Sequence, residues 1–195
     1  PVLMNVNLGT TQTGALDDLV TIRNLLLTKV KARGQHFAIH ADAALMGACL
    51  PICRPFGNDL NFFTDLDVNT MAISGHKFFG SVCICGVCLV TATFLEQLSQ
   101  TTRASTSSNV VVSYLTGLHD LTPSGSRSGF ATLSLHNTLC GLYMHTDAHR
   151  LRLLVLQCYK NVDYLVSRLR ALVDDPTNHR HHGGGNQQQH SLVIN

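Results

Sequence analysis

Charged side chains are scarce in this sequence, and it contains no long uninterrupted apolar run. Only 13% of the 195 residues are charged, and the formal net charge is +2. No basic stripe is therefore present that could neutralise a nucleic-acid backbone. The longest apolar stretch, residues 82–95, is interrupted by Gly86, Thr91 and Thr93, and it is shorter than the roughly 20 residues of a membrane-spanning helix. The sequence thus indicates neither a nucleic-acid partner nor a membrane span.

We expect no secretory leader, because no basic segment with a following apolar one is visible at the start of the sequence. The first residue is Pro1, and we expect the chain to be a piece of a longer protein or a processed product. Cys83, Cys85 and Cys88 share one apolar run, where alternate side chains of a strand face opposite sides. That arrangement is poor for a metal ion. We therefore expect no metal site, and buried, reduced thiols in a cytoplasmic protein.

The clearest local pattern is strand, helix, strand, and the hydrophobic content of 45% is enough for a sizeable core. Residues 2–7 and 37–42 are typical of strands, and apolar residues recur at helical spacing between them. Thr13 is the expected N-cap of this helix, with Asp17 and Asp18 in its first turn. The pattern predicts an α/β fold with a mostly parallel sheet flanked by helices, in which ligands bind at the carboxyl ends of the strands.

The middle of the chain is less regular. Residues 70–73 are typical of a short strand, residues 83–90 of a buried strand and residues 92–100 of a short helix. Residues 101–109 are small and polar, which predicts a mobile loop that could act as a lid, and a strand is expected at residues 110–114.

The last third is helical in pattern from Thr132 onward. An apolar stripe over residues 151–172 predicts a core-facing helix, with a dimer seam as the alternative. Pro176 ends this helix. The tract at residues 178–190 is rich in His, Gly and Gln, and we interpret it as a flexible linker rather than a metal site.

Lys77 follows the predicted strand at residues 70–73, within the sequence S-G-H-K-F-F-G. A lysine among apolar neighbours tends to lose its proton because desolvation disfavours the ammonium, and a neutral amine forms an imine with an aldehyde. Ser74 and His76 could hold an anion nearby. An ordinary exposed lysine in a turn is the alternative. Three more polar residues fall at the same predicted edge of the sheet: Thr10, Thr11 and Asp42.

Four motifs follow one another over roughly residues 5–135. They are N-L-G-T-T with G-A-L-D-D at residues 7–11 and 14–18, H-A-D-A-A-L at residues 40–45, S-G-H-K-F at residues 74–78, and S-G-S-R-S-G at residues 124–129. In this order they resemble the group II pyridoxal-phosphate-dependent amino-acid decarboxylases, most closely the histidine and serine decarboxylase branch. The resemblance implies part of a fold-type-I large domain, pyridoxal 5'-phosphate as cofactor, and decarboxylation of an L-amino acid to an amine and carbon dioxide.

The resemblance also implies a role for individual residues. Lys77 would form the internal aldimine, and Asp42 would pair with the pyridine nitrogen, keep it protonated and make the ring an electron sink. A helix-capping carboxylate is the alternative for Asp42. Ala44 would let the ring lie flat against the strand end. His76 and Ser74 would help hold the cofactor phosphate.

Four further candidates are less specific. Thr10 or Thr11 would contact the ring substituents or the substrate carboxylate, and a turn role is the alternative for either. Arg127 would lie on the active-site side near the subunit boundary of a homodimer, unless it is a surface arginine. Tyr114 is a candidate near the site, although an apolar core position is the stronger interpretation.

By the same resemblance, part of the site lies outside this chain, namely a histidine stacked on the ring and a phosphate-binding helix start. We expect the isolated chain to bind cofactor poorly and to be weakly active or inactive. The alternatives are another fold-type-I lyase, such as a cysteine desulfurase or an aldolase-like enzyme, and a non-catalytic remnant. The expected domain plan is half of the cofactor-binding large domain (residues 1–150), a connecting helix (151–175), a linker or insertion (176–190) and the start of a small domain (191–195).

Overall fold

A computed structural model of the chain describes residues 1–54, 60–105, 128–144 and 149–174. The chain divides into two compact units, residues 1–141 and 142–195. The elements of the first unit, in chain order, are β1 (Val2–Asn7), α1 (Leu19–Lys29), β2 (Phe37–Asp42), α2 (Leu50–Cys53), β3 (Val68–Ser74), β4 (Gly86–Val90), α3 (Ala92–Ser105) and α4 (Gly129–Leu139). A π-helical turn, Cys140–Met144, follows α4, and α5 (His149–Asp174) lies in the second unit.

The described strands form one sheet in the order β1-β2-β3-β4. The strands β1, β2 and β3 are parallel, with Val2 opposite Phe37 and Asn7 opposite Asp42. The last strand, β4, runs antiparallel to β3. The prediction of an α/β fold with a mostly parallel sheet is therefore confirmed, and the βαβ unit has the predicted strand limits.

The core of the first unit lies between α1 and one face of the sheet. Because successive strand residues point to opposite faces, the core takes alternate residues of β1 and β2, and Asn7 and Asp42 fall on the other face. Burying one such Leu or Ile side chain contributes roughly 1.5–3 kcal/mol, so the core holds the sheet and α1 together as a base for the polar strand ends. Its buried members are Val6, Leu8, Leu19, Leu26, Ile39, Ala41, Ala43, Leu50, Leu66, Val68 and Met71.

The helix α1 begins later than predicted, at Leu19. Thr13 does not cap it, because the Thr13 hydroxyl lies 2.8 Å from that of Thr10 in a turn that precedes the helix. The N-cap is Asp18, whose carboxylate accepts a hydrogen bond from the amide of Thr21 at 3.0 Å. This bond lowers the pKa of Asp18. A turn built from side-chain hydroxyls thus takes the place of the first predicted helical turn.

The strand β4 is shorter and more exposed than predicted. It begins at Gly86 rather than Cys83, and Leu89 and Val90 are each 39% exposed. An apolar run predicts burial, but this strand lies at the end of the sheet and pairs with β3 alone among the described strands. The prediction of buried thiols is also mostly wrong, because Cys49 is the only one of the seven cysteines that is buried.

Two helices depart from their predicted limits. The helix α3 continues to Ser105, so the first part of the predicted loop at residues 101–109 is helical. The helix α4 begins at Gly129, ahead of Thr132. Several predicted features lie outside the described residues: the rest of that loop, the strand at residues 110–114 with Tyr114, the residue Arg127, and everything from residue 175 onward.

The apolar stripe of α5 is mostly exposed. Leu151 and Val155 are its buried residues, whereas Val162 and Leu165 are each 56% exposed. The predicted core-facing helix is therefore correct for its first turns and wrong for the remainder. None of the described helices is both long and apolar enough to cross a membrane.

Candidate active site

The three parallel strands end at one edge of the sheet, and polar residues lie at or just beyond each end. Asn7 closes β1, and Asp42 closes β2 directly opposite it. Lys77 lies in the turn that follows β3. Together with their neighbours these residues line a cleft of about 270 Å³, near the lower end of the roughly 300–1,000 Å³ of ligand pockets. The lining residues are Asn7, Gly9, Thr10, Thr11, Asp42, Ala44, Leu45 and Lys77.

Asp42 is exposed, and its carboxylate is held by the backbone that follows it. The amide of Ala44 donates a hydrogen bond to Asp42 Oδ1 at 3.1 Å. This is the kind of local bond that the capping alternative predicts, but it occupies a single oxygen. Among the described residues, Oδ2 of Asp42 has no hydrogen-bond partner, so this oxygen is available to a ligand in the cleft.

Lys77 is exposed rather than enclosed by apolar side chains. Its carbonyl accepts a hydrogen bond from the amide of Gly80 at 3.1 Å, which closes the turn. Its neighbours in the cleft are mainly polar. The desolvation argument made from sequence is therefore not supported by the surroundings of Lys77. Its place in the same cleft as Asp42 remains the argument for a chemical role.

Ser74 and His76 do not line the cleft. The amide of Ser74 donates to the carbonyl of Ala44 at 3.1 Å, which ties the end of β3 to the turn after β2. His76 Nδ1 lies 2.9 Å from the carbonyl oxygen and 3.3 Å from the amide nitrogen of Cys85. The structure thus places both residues beside the cleft wall rather than in the cleft.

Thr10 and Thr11 both line the cleft, but their hydroxyls are used differently. Thr10 Oγ1 accepts a hydrogen bond from the amide of Ala15 at 3.0 Å, so Thr10 has the turn role that was its alternative. Thr11 is exposed, and its hydroxyl has no hydrogen-bond partner within the described part of the chain. Of this pair, Thr11 is the better candidate for contact with a ligand.

Three lining residues received no role from the sequence: Asn7, Gly9 and Leu45. Asn7 could have been found, because it is the last residue of a predicted strand at the predicted edge. Gly9 is required for two reasons. Its φ is +104°, and a Cβ atom there would lie 2.0 Å from Cγ of Met46. The backbone of the cleft wall therefore packs directly on the Met46 side chain, a contact between segments that sequence does not reveal.

Within the described ranges, no group of three or more His, Cys, Asp or Glu side chains is arranged to hold a metal ion.

A family model links these features to known proteins. Residues 1–120 match the pyridoxal-dependent decarboxylase conserved domain. The chain belongs to this family. The match covers the cleft and the turn that carries Lys77.

Individual relatives agree with this assignment. The chain is 32% identical over 172 residues to serine decarboxylase 3 of Oryza sativa subsp. japonica, covering 88% of the chain and 34% of the relative. It is 33% identical to histidine decarboxylase of Pseudomonas fluorescens, covering 85% of the chain and 36% of the relative. The structure of L-methionine decarboxylase from Streptomyces sp.590 matches with a TM-score of 0.65 and 25% identity, covering 88% of this chain and 39% of that one. The chain thus spans about a third of the length of the curated relatives it matches.

The cofactor of this family is pyridoxal phosphate, and the cleft residues fit one part of it. Lys77 supplies an amine and Asp42 a carboxylate with an open oxygen, while Ala44, which also lines the cleft, has a side chain of a single carbon. These groups suit the aldehyde and the ring. The fold is part of a fold-type-I α/β domain, as predicted.

Proposed function

We propose that the protein containing this chain decarboxylates an L-amino acid to the amine and carbon dioxide, in the manner of histidine and serine decarboxylases. The observation that carries the proposal is that Lys77 and Asp42 line one cleft at the carboxyl ends of parallel strands. When bound there, the cofactor supplies an electron sink for the electron pair left at Cα when the carboxylate departs.

Lys77, Asp42 and Ala44 have different roles in this proposal. Lys77 would present its amine to the cofactor aldehyde, and its exposure would leave that position accessible to the amine of a substrate. Asp42 would keep the ring nitrogen protonated through its negative charge. The hydrogen bond from the Ala44 amide holds this carboxylate in place, so it is oriented before the cofactor arrives.

Thr10, Thr11, Ser74 and His76 complete the proposed contacts. Thr11 contacts a ring substituent or the substrate carboxylate, while Thr10 shapes the loop. Ser74 and His76 stay our candidates for phosphate contacts. For His76 this role requires Nε2, because Nδ1 is engaged by the backbone of Cys85.

Other parts of the proposal concern the whole protein. A homodimer with Arg127 near the subunit boundary, a role for Tyr114 and the domain plan with its limit at residue 150 stay predictions. A cytoplasmic location also stays a prediction. Because the chain spans about a third of its relatives, we propose that it binds cofactor poorly by itself.

The test uses protein expressed from its full reading frame. We expect pyridoxal phosphate to produce a visible absorption band that Lys77→Ala abolishes, together with carbon dioxide release from histidine, serine, methionine or an aromatic amino acid. Lys29→Ala, which removes another exposed lysine at the end of α1, is the matched control and should leave both signals unchanged.

Three results would contradict parts of this proposal. A band that survives Lys77→Ala overturns the assignment of the lysine. A Lys77-dependent band without carbon dioxide release from any amino acid indicates a different lyase. Absence of a band in the wild-type protein indicates a non-catalytic remnant that retains the motifs.

A further inference from the structure

Two serines form a buried hydrogen bond that the proposed chemistry does not use. Ser81 is 6% and Ser134 is 8% exposed, and they are the buried polar residues among those described. Their hydroxyl oxygens lie 2.9 Å apart. Ser81 follows the turn that carries Lys77, whereas Ser134 lies in α4. The bond therefore joins segments that are far apart in sequence.

Ser81 also closes the base of the Lys77 turn. Its amide donates a hydrogen bond to the carbonyl of Gly75 at 3.0 Å, and the amide of Gly75 donates to the carbonyl of Cys85 at 2.9 Å. Lys77 lies between Gly75 and Ser81 in the chain. Its backbone is thus part of a loop whose two ends are bonded to each other.

The helix α4 contacts both ends of this loop. Its buried residues are Ser134 and Leu135. A Cβ atom added at Gly75 would lie 2.8 Å from Cδ1 of Leu135, so the Gly75 backbone packs directly against Leu135. One end of the loop rests on Leu135, and the other is hydrogen-bonded to Ser134 through Ser81. The helix begins with Gly129, the last residue of the S-G-S-R-S-G motif. The contacts of α4 therefore join the end of that motif to the loop that carries Lys77.

We propose that Ser81 and Ser134 are positioning residues that hold the Lys77 turn at a set distance from α4. The inference rests on the proposed function of Lys77. A buried hydroxyl pair is costly to separate, because each group has exchanged water for the other. An amine that must meet an aldehyde needs such support, since small displacements of reacting groups reduce rates strongly.

The first measurement is amide hydrogen exchange on the cofactor-free, full-reading-frame protein. We expect Ser134→Ala to speed exchange of the Gly80 and Ser81 amides by about tenfold while amides shared by β1 and β2 keep their protection. The double variant Ser81→Ala/Ser134→Ala leaves neither hydroxyl unpaired and is expected to fold while losing the link. Ser99→Ala removes an exposed hydroxyl that bonds within α3 and is the matched control.

The second measurement is the pH dependence of the Lys77-dependent absorption band after cofactor is added. We expect its midpoint to shift in the Ser134→Ala and double variants, to stay unchanged in Ser99→Ala, and to return toward wild type in Ser134→Thr, which keeps the hydroxyl. A purely structural role would lower stability without moving this midpoint.

The outcomes separate the two proposals. If the wild-type protein shows the band, but the double variant folds with unchanged exchange at Gly80 and Ser81 and an unchanged midpoint, the positioning role is wrong. Uniformly faster exchange over the whole sheet also contradicts it, because the bond would then support the fold rather than the turn. If the wild-type protein shows no band, the proposed function fails and the inference fails with it.

Discussion

The carboxylate of Asp17 accepts a hydrogen bond from the backbone amide of Asn7 at 2.7 Å, and the amide of Asp17 donates to the carbonyl of Asn7 at 2.9 Å. These two bonds close the chain between residues 8 and 16 onto the end of β1. The closed segment carries Thr10 and Thr11, which line the cleft. An acid that does not itself line the cleft therefore holds one of its walls.

Replacing Asp17 tests that role. We expect Asp17→Ala to loosen the Thr10 and Thr11 wall and to weaken cofactor binding. Loss of the hydrogen bond from the Asn7 amide alone costs roughly 1 kcal/mol, or about fivefold in affinity. Titration of the cofactor absorption band measures the change. Asp163→Ala, which removes an exposed acid from α5, should leave the affinity as it is, and an equal loss in both variants would rule out a local effect of Asp17.

Replacing Asp42 by asparagine removes the negative charge of the side chain but keeps its size and its hydrogen-bond acceptor. The Asn side chain can still accept the hydrogen bond from the Ala44 amide, but it cannot hold a proton on the ring nitrogen by its charge. We expect Asp42→Asn to bind cofactor and to release carbon dioxide at least about 100-fold more slowly. Single-turnover assays with saturating cofactor measure this, and near-normal turnover in the variant would show that Asp42 is only a turn residue.

Replacing Gly9 tests the close approach of the cleft wall to Met46. In Gly9→Ala the new methyl group collides with both Cγ and Cβ of Met46, and Cβ cannot swing away. We expect a loss of unfolding free energy of about 1–3 kcal/mol from crowding and about 1–2 kcal/mol from the positive φ. Urea unfolding measures it.

The control for that variant is Gly14→Ala. Gly14 has a φ of +65° and no atom within 4 Å of its added Cβ, so only the backbone term applies. Equal losses of unfolding free energy in the two variants would mean that the Met46 side chain moves aside without loss of stability.

The N-cap of α1 predicts that the stability of the folded protein depends on pH. The hydrogen bond from the Thr21 amide lowers the pKa of Asp18 in the folded protein, so its contribution to stability is present above the ordinary aspartate pKa and is lost as the pH falls through the lower, folded value. We expect Asp18→Ala to be less stable than wild type at neutral pH and the difference to shrink in acid. A difference that stays constant with pH would show that the charged cap does not contribute. Asparagine caps a helix without ionising, so the difference in stability between Asp18→Asn and Asp18→Ala should not change with pH.

The sequence predicted correctly where one local pattern decides the structure. The limits of β1 and β2 followed from apolar runs bounded by turn residues, and their parallel pairing followed from the helix between them. The carboxyl ends of parallel strands meet at one edge, so Asp42 and Lys77 could be expected in one cleft without knowledge of a single distance.

Other predictions failed because they depended on the surroundings of a segment. The apolar composition of β4 indicated burial, but composition does not say whether a strand has neighbours on both sides. The same limit applies to the stripe of α5, which is apolar along its length and buried only near Leu151 and Val155. For Lys77, the neighbours in sequence suggested an apolar enclosure, whereas the folded chain leaves it exposed in a mainly polar cleft.

By itself, the sequence determined the βαβ order, the family and the residues that carry the proposed chemistry, because each is written in a short contiguous stretch. Only the tertiary structure decided how those stretches are supported. The bonds from Asp17 to Asn7 and from Ser81 to Ser134, and the contact of Gly9 with Met46, join residues that share no local pattern. Such contacts arise from the packing of whole elements, which brings side chains together irrespective of their separation in the chain.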